Sequence, residues 1–101
     1  MLISKHRAFL KSLAHDADTV LMVGKSGIID TLIAQADGVL EARELIKGKV
    51  LESSPVTVKE AAERLAQATR SEVVQTIGRK FVLFRRNNEK PVIELPKVRR
   101  K

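Results

Sequence analysis

Four consecutive residues, Gly24, Lys25, Ser26 and Gly27, lie between the apolar runs VLMV and II. Two glycines bracketing a cation and a hydroxyl form a combination that can hold an anionic oxygen. Glycine lets the backbone come close, lysine supplies charge and serine a donor. The spacing excludes the enzymatic versions of such a loop. A Walker A motif needs a glycine five positions before the Gly-Lys pair, where Thr19 stands. The dinucleotide fingerprint G-x-G-x-x-G is absent, and a G-x-S-x-G elbow fails by one residue because Gly27 follows Ser26 directly. What remains is a G-x-x-G turn at the mouth of a helix, where unpaired amides and the helix dipole favour a phosphate. The KH module clamps a nucleic-acid backbone with such a loop, set there between two helices rather than after a strand. Two readings stand at this point: a phosphate-holding loop, or a tight strand-to-helix turn without a ligand.

Other cations can extend the loop: Lys47 and Lys49 on the following strand, Arg85 and Arg86 at the end of the last strand, and Lys5 and Lys11 on the opening helix. The net charge is +7, and it is unevenly placed. Residues 1–78 hold ten basic and ten acidic side chains, whereas residues 79–101 hold nine basic against two acidic. This polarity favours an anionic partner: a nucleic acid first, an acidic protein or membrane surface second. A merely solvated tail is the alternative. There is no Trp or Tyr, and of the three Phe, Phe81 and Phe84 sit inside an apolar strand as core residues. Contact is therefore expected mainly with phosphate and sugar rather than with stacked bases.

No cysteine is present, and His6 and His15 have no ligand cluster around them, so no disulfide, metal or cofactor is expected. No catalytic residue and no small-molecule substrate is expected either. The first residues, MLISKHRAFLK, are broken by Lys5, His6, Arg7 and Lys11, and no apolar run is long enough to span a bilayer. A cytoplasmic location is the expectation, with no membrane partner.

These residues need elements to position them. Leu2, His6, Phe9, Leu10 and Leu13 have helical spacing, with Ser4 as N-cap, and predict a helix to about Ala14. TVLMV predicts a buried strand. Ile29, Leu32, Ile33, Ala36 and Leu40 line one side of a second helix. ELIKGKVL alternates, with Ile46, Gly48 and Val50 facing inward and Leu45, Lys47 and Lys49 on the other face. Thr57 and Glu60 form a capping box for a third helix, whose apolar side is Val58, Ala61, Ala62, Leu65 and Ala68. EVVQTI and KFVLF flank Gly78-Arg79 as a hairpin. The predicted fold is α/β, ordered α-β-α-β-α-β-β, with a small mixed four-stranded sheet packed by helices. If both crossover helices lie on one face, the other face is open and Lys47 and Lys49 project from it.

VGKSGI after a strand, ELIKGKV on the next strand and VVQTIGRKFVLFRR closing the sheet together resemble the CRM domain (chloroplast RNA splicing and ribosome maturation), in its stand-alone bacterial YhbY-like form. The likeness spans residues 1–96, read as one domain, with a basic tail over residues 97–101. It implies a fold resembling the C-terminal domain of translation initiation factor three. It also implies RNA binding without catalysis, with ribosomal RNA precursors of the large subunit as partner. In that likeness Gly24, Lys25, Ser26 and Gly27, with neighbouring basic residues, contact the RNA. A nonspecific DNA-binding or nucleoid protein and a protein-interaction module with a basic docking surface are the alternatives. Three positions depart from the family pattern: Gly48 replaces a bulkier aliphatic residue, Arg70 a helix-ending glycine, and Phe84 a tyrosine.

Overall fold

The computed structural model describes residues 4–87, 89 and 93. Seven elements follow one another: α1 (Ser4–His15), β1 (Thr19–Val23), α2 (Asp30–Arg43), β2 (Leu45–Val50), α3 (Val58–Thr69), β3 (Glu72–Ile77) and β4 (Lys80–Phe84). This is the predicted order. The strands form one mixed sheet in the order β1-β2-β4-β3, so β4 inserts between two strands that precede it in the chain. β1 and β2 are parallel, and β4 runs antiparallel to both of its neighbours. The basic tail expected over residues 97–101 lies outside the described residues.

α2 and α3 cover one face of the sheet. Leu32, Ala36 and Leu40 of α2, with Ala61, Ala62 and Leu65 of α3, bury against Leu21, Val23, Ile46, Val50, Phe81 and Leu83. Alanines let α3 lie close to the strands. Its buried stripe also takes in Ala66 and Thr69, while Ala68, expected inside, is exposed. The Thr57–Glu60 capping box forms as predicted, with the Glu60 amide donating to Thr57 Oγ1 at 3.2 Å. α3 ends in left-handed backbone at Arg70, φ 57°. The glycine-like cap geometry is thus kept without a glycine.

α1 packs on the opposite face, its Leu10 and Ala14 burying against Val74, Val82 and Phe84. The conditional expectation of an open second face is therefore corrected. Both crossover helices do share a side, but α1 covers part of the other. β3 is an edge strand with a bulge between Val73 and Gln75, and Arg7 of α1 donates to the carbonyls of Val73 (2.5 Å) and Val74 (3.0 Å). One guanidinium nitrogen thus takes up both bulge acceptors on an edge that would otherwise invite pairing.

Candidate nucleic-acid interface

The Gly24–Gly27 segment leaves the C-terminal end of β1 as a turn closed by the Gly27 amide donating to the Gly24 carbonyl at 3.0 Å. Lys25 and Ser26 form its exposed tip. Gly27 has φ +69°, and a Cβ there would meet Pro55 Cγ at 3.1 Å, so the chain's own packing requires this glycine. Gly24 differs: its φ is not positive, and a Cβ would make only an ordinary 3.7 Å contact with Leu51 Cδ1. The fold has room for a side chain at 24.

α2 begins at Asp30, with two residues between it and the turn. Its N-cap, Ile29, provides no side-chain hydrogen bond, so the first amides are left without that partner. Ile29, expected on the helix's buried side, is instead 44% exposed because α2 starts one residue later. A hollow of about 300 Å³ opens here, walled by the turn, Met22, Ile29, Thr31 and Gln35. Among the described residues no acidic side chain lines it. Asp30 lies in the first turn of α2, exposed and outside this wall.

The expected cations divide into groups. The loop sits at the end of the sheet formed by the C-termini of β1 and β2 and the β3–β4 hairpin, as the Val50 amide donating to the Arg79 carbonyl at 2.7 Å shows. Lys49 is one row below, paired in register with Met22 on one side and Lys80 on the other. Lys11 and Lys47 line a second hollow on the α1 side, together with His15, Gln75, Ile77 and Lys80. Lys47 is half-buried and donates to the Ala14 carbonyl at 3.3 Å, capping the C-terminal end of α1. It does not project from an open face as expected. Lys5 is exposed on the first turn of α1, six residues before Lys11 and so about 9 Å along the axis.

Arg85 and Arg86 stand at the opposite end of β4 from the loop. A strand of this length puts roughly 15 Å between them and the hairpin. Arg85 is moreover held by the protein: its guanidinium bonds Asp37 Oδ1 (2.5 Å), Glu41 Oε2 (3.1 Å), the Thr69 carbonyl (2.9 Å) and the Asp37 carbonyl (3.1 Å). The sequence placed Arg85 among the ligand-facing cations; the structure shows its guanidinium paired with Asp37 and Glu41, where it ties α2 to the end of α3. Arg86 is exposed beyond it.

Three features escaped the sequence reading. Lys80 lies beside Lys49, a neighbour visible only once β2 and β4 are paired. Arg79 joins the loop end and forms an exposed ion pair with Glu52 at 3.2 Å, an arrangement of small energetic weight. Glu44 is fully buried with φ 65°, and its carboxylate accepts from the amides of Asn87 and Ile93, each at 2.5 Å. No pattern in the sequence marks it, since it reads as the first residue of a strand.

Comparison with known proteins bears directly on this geometry. The model of the CRS1 / YhbY (CRM) domain matches residues 2–85, which takes in every element from α1 to β4. The chain is similar to "Probable RNA-binding protein YqeI" of Bacillus subtilis, 44% identical over 96 residues that cover 95% of this chain and all of that one. It is similar to an "RNA-binding protein" of Haemophilus influenzae, 35% identical over 95% of this chain and 96% of the other. A Staphylococcus aureus protein known from its solution structure superposes with a TM-score of 0.79 at 48% identity, covering 95% of this chain and all of that one. Among the described residues no helix is long and apolar enough to cross a membrane.

Proposed function

The chain belongs to the CRS1/YhbY (CRM) domain family, and from that premise we propose that it is a non-enzymatic RNA-binding protein acting in the cytoplasm on ribosomal RNA precursors of the large subunit. Residues 1–96 work as one RNA-binding unit. The Gly24–Gly27 turn and the first amides of α2 grip a phosphate, with Lys25 as counter-charge and Ser26 as donor. Lys49, Lys11, Lys5 and Arg86 extend the cationic surface, and Lys47 does so while it caps α1. Arg85 has no part in it.

One observation carries the reading. α2 opens with no side-chain cap behind a turn that has a lysine at its tip, and among the described residues no carboxylate lines the hollow in front. A turn needed only to join a strand to a helix has no use for an open, cationic mouth or for a glycine at 24 that could bear a side chain. The names of the relatives from Bacillus subtilis and Haemophilus influenzae agree with RNA as the ligand class.

Crosslinking in cells followed by sequencing of the attached RNA tests the partner. Recovery of large-subunit precursor fragments is the expected result, and transcripts scattered without preference would overturn the ribosomal assignment. Lys25→Gln tests the loop: affinity should fall about evenly across RNA sequences, and the slope of log K against log salt should lose about 0.7–0.9, one phosphate contact. An unaltered slope would remove the turn from the interface. Competition between structured RNA and duplex DNA at fixed salt separates RNA binding from general polyanion binding.

A further inference from the structure

The strand register places four side chains in one row across the sheet, on the α1 side. Met22 of β1 is paired with Lys49 of β2, Lys49 with Lys80 of β4, and Lys80 with Ile77 of β3. α1 covers the far half of this face and leaves the row beside the loop bare: Met22 is 59% exposed and Ile77 63%. Two features break the ordinary rules for a solvated sheet. Lys49 and Lys80 are directly opposed like charges, an arrangement that destabilises a strand pair. The lysines are also flanked by the two most exposed large apolar side chains described. Local violations of this kind mark sites held for a purpose other than folding.

The surroundings settle the sign of the ligand. The next row contains Lys47, Val82 and Gln75, and α1 adds Lys11 and His15 from above. Among the described residues neither row bears a carboxylate. Met22 also walls the hollow in front of the Gly24–Gly27 turn, so the row runs into the phosphate grip without a break.

We propose that this row is a floor for single-stranded RNA, on which Lys49 and Lys80 hold backbone phosphates while Met22 and Ile77 lie against unpaired bases. The inference rests on the RNA-binding reading above and specifies the form of RNA bound. A duplex offers phosphates to such a surface but keeps its base faces stacked inside, leaving Met22 and Ile77 nothing to cover. An unpaired strand offers both. Four strands make a floor about 14 Å wide, and a sheet of that width carries about two or three bases in the RRM. Here the aromatic platform is replaced by a thioether and a branched aliphatic chain. Their contacts are adaptable and unselective, which suits a surface that reads strand form rather than sequence.

The test compares a short oligouridylate with an RNA duplex of the same length, across a salt series, for the whole chain and three variants. Lys49→Gln/Lys80→Gln should lower the single-strand salt slope by about 1.4, equivalent to about 25-fold in affinity at ~0.1 M relative to 1 M salt. Met22→Ser/Ile77→Ser should weaken oligouridylate binding by roughly tenfold through lost apolar contact, with the slope and the duplex affinity unchanged. Unchanged unfolding midpoints would show that these surface changes leave the fold intact. Lys25→Gln reports on the turn alone. If it weakens binding while both row variants bind oligouridylate as the parent does, the floor is overturned and the turn stands. If the row variants weaken binding and Lys25→Gln does not, the floor stands and the turn falls. A Met22→Ser/Ile77→Ser variant that loses duplex and single strand equally also overturns the floor, and failure to bind either RNA overturns both.

Discussion

The far end of the Phe81 ring fills the space beside Gly48, its register partner on the neighbouring strand. A Cβ built at 48 would stand 2.6 Å from Cε2 and 2.7 Å from Cε1 of that ring, and closer still to Cζ. Both residues face the core under α2 and α3, and Phe81 is fully buried there. The departure from the family pattern at 48 is therefore the space that the phenyl ring occupies.

Gly48→Ala should destabilise the protein by about 1–3 kcal/mol, because the ring cannot move without displacing close-packed neighbours. Gly38, on the exposed side of α2, supplies the contrast, since a Cβ there would meet nothing within 4 Å. Gly38→Ala should stabilise by about 0.5–1 kcal/mol through helix propensity. Urea unfolding of the two variants checks both signs.

The two glycines of the loop should separate stability from binding. Gly27→Ala places a side chain in left-handed backbone against Pro55 and should cost about 1–2 kcal/mol in unfolding measurements. Gly24→Ala meets only an ordinary contact and should leave stability within about 0.5 kcal/mol while weakening RNA affinity. Filter binding and thermal unfolding on the same samples give the comparison.

Arg85 and Arg86 are neighbours in sequence with opposite expected behaviour. Arg85→Gln removes hydrogen bonds to Thr69 and Asp37 and should leave the salt slope of RNA binding unchanged. Its cost should be about 1–3 kcal/mol, reduced by the exposure of its acidic partners, 59% at Asp37 and 65% at Glu41. Arg86→Gln should leave the unfolding midpoint unaltered and lower the salt slope.

Glu44 holds the amides of Asn87 and Ile93, beyond β4, with its carboxylate. Glu44→Gln keeps the shape but sets an uncharged amide where a carboxylate accepts two amides, and should cost about 2–4 kcal/mol. Hydrogen exchange should report the loss first at the amides of Asn87 and Ile93, with the sheet amides less affected.

Much of the fold was legible because its signals are local. The Thr57–Glu60 box, the Gly78-Arg79 turn and the alternation of Ile46, Gly48 and Val50 each depend on residues within one or two turns of chain. The G-x-x-G segment was legible for the same reason. Helix faces were read less well at their edges: Ile29 and Ala68 lie outside, and Ala66 and Thr69 lie inside. A one-residue change in helix start or rotation moves such borderline positions across the boundary between core and solvent.

The amino-acid order by itself determined the sequence of elements, the turn at 24–27 and the surplus of positive charge, because each is set by neighbours along the chain or by composition. Tertiary structure alone decided which cations come together on one face. Insertion of β4 between β2 and β3 put Lys80 beside Lys49 and sent Arg85 to the far end, where α2 neutralises it. Docking of α1 set which part of the second sheet face stays uncovered. Those outcomes depend on pairings between residues far apart in the chain, whose partners no local pattern names.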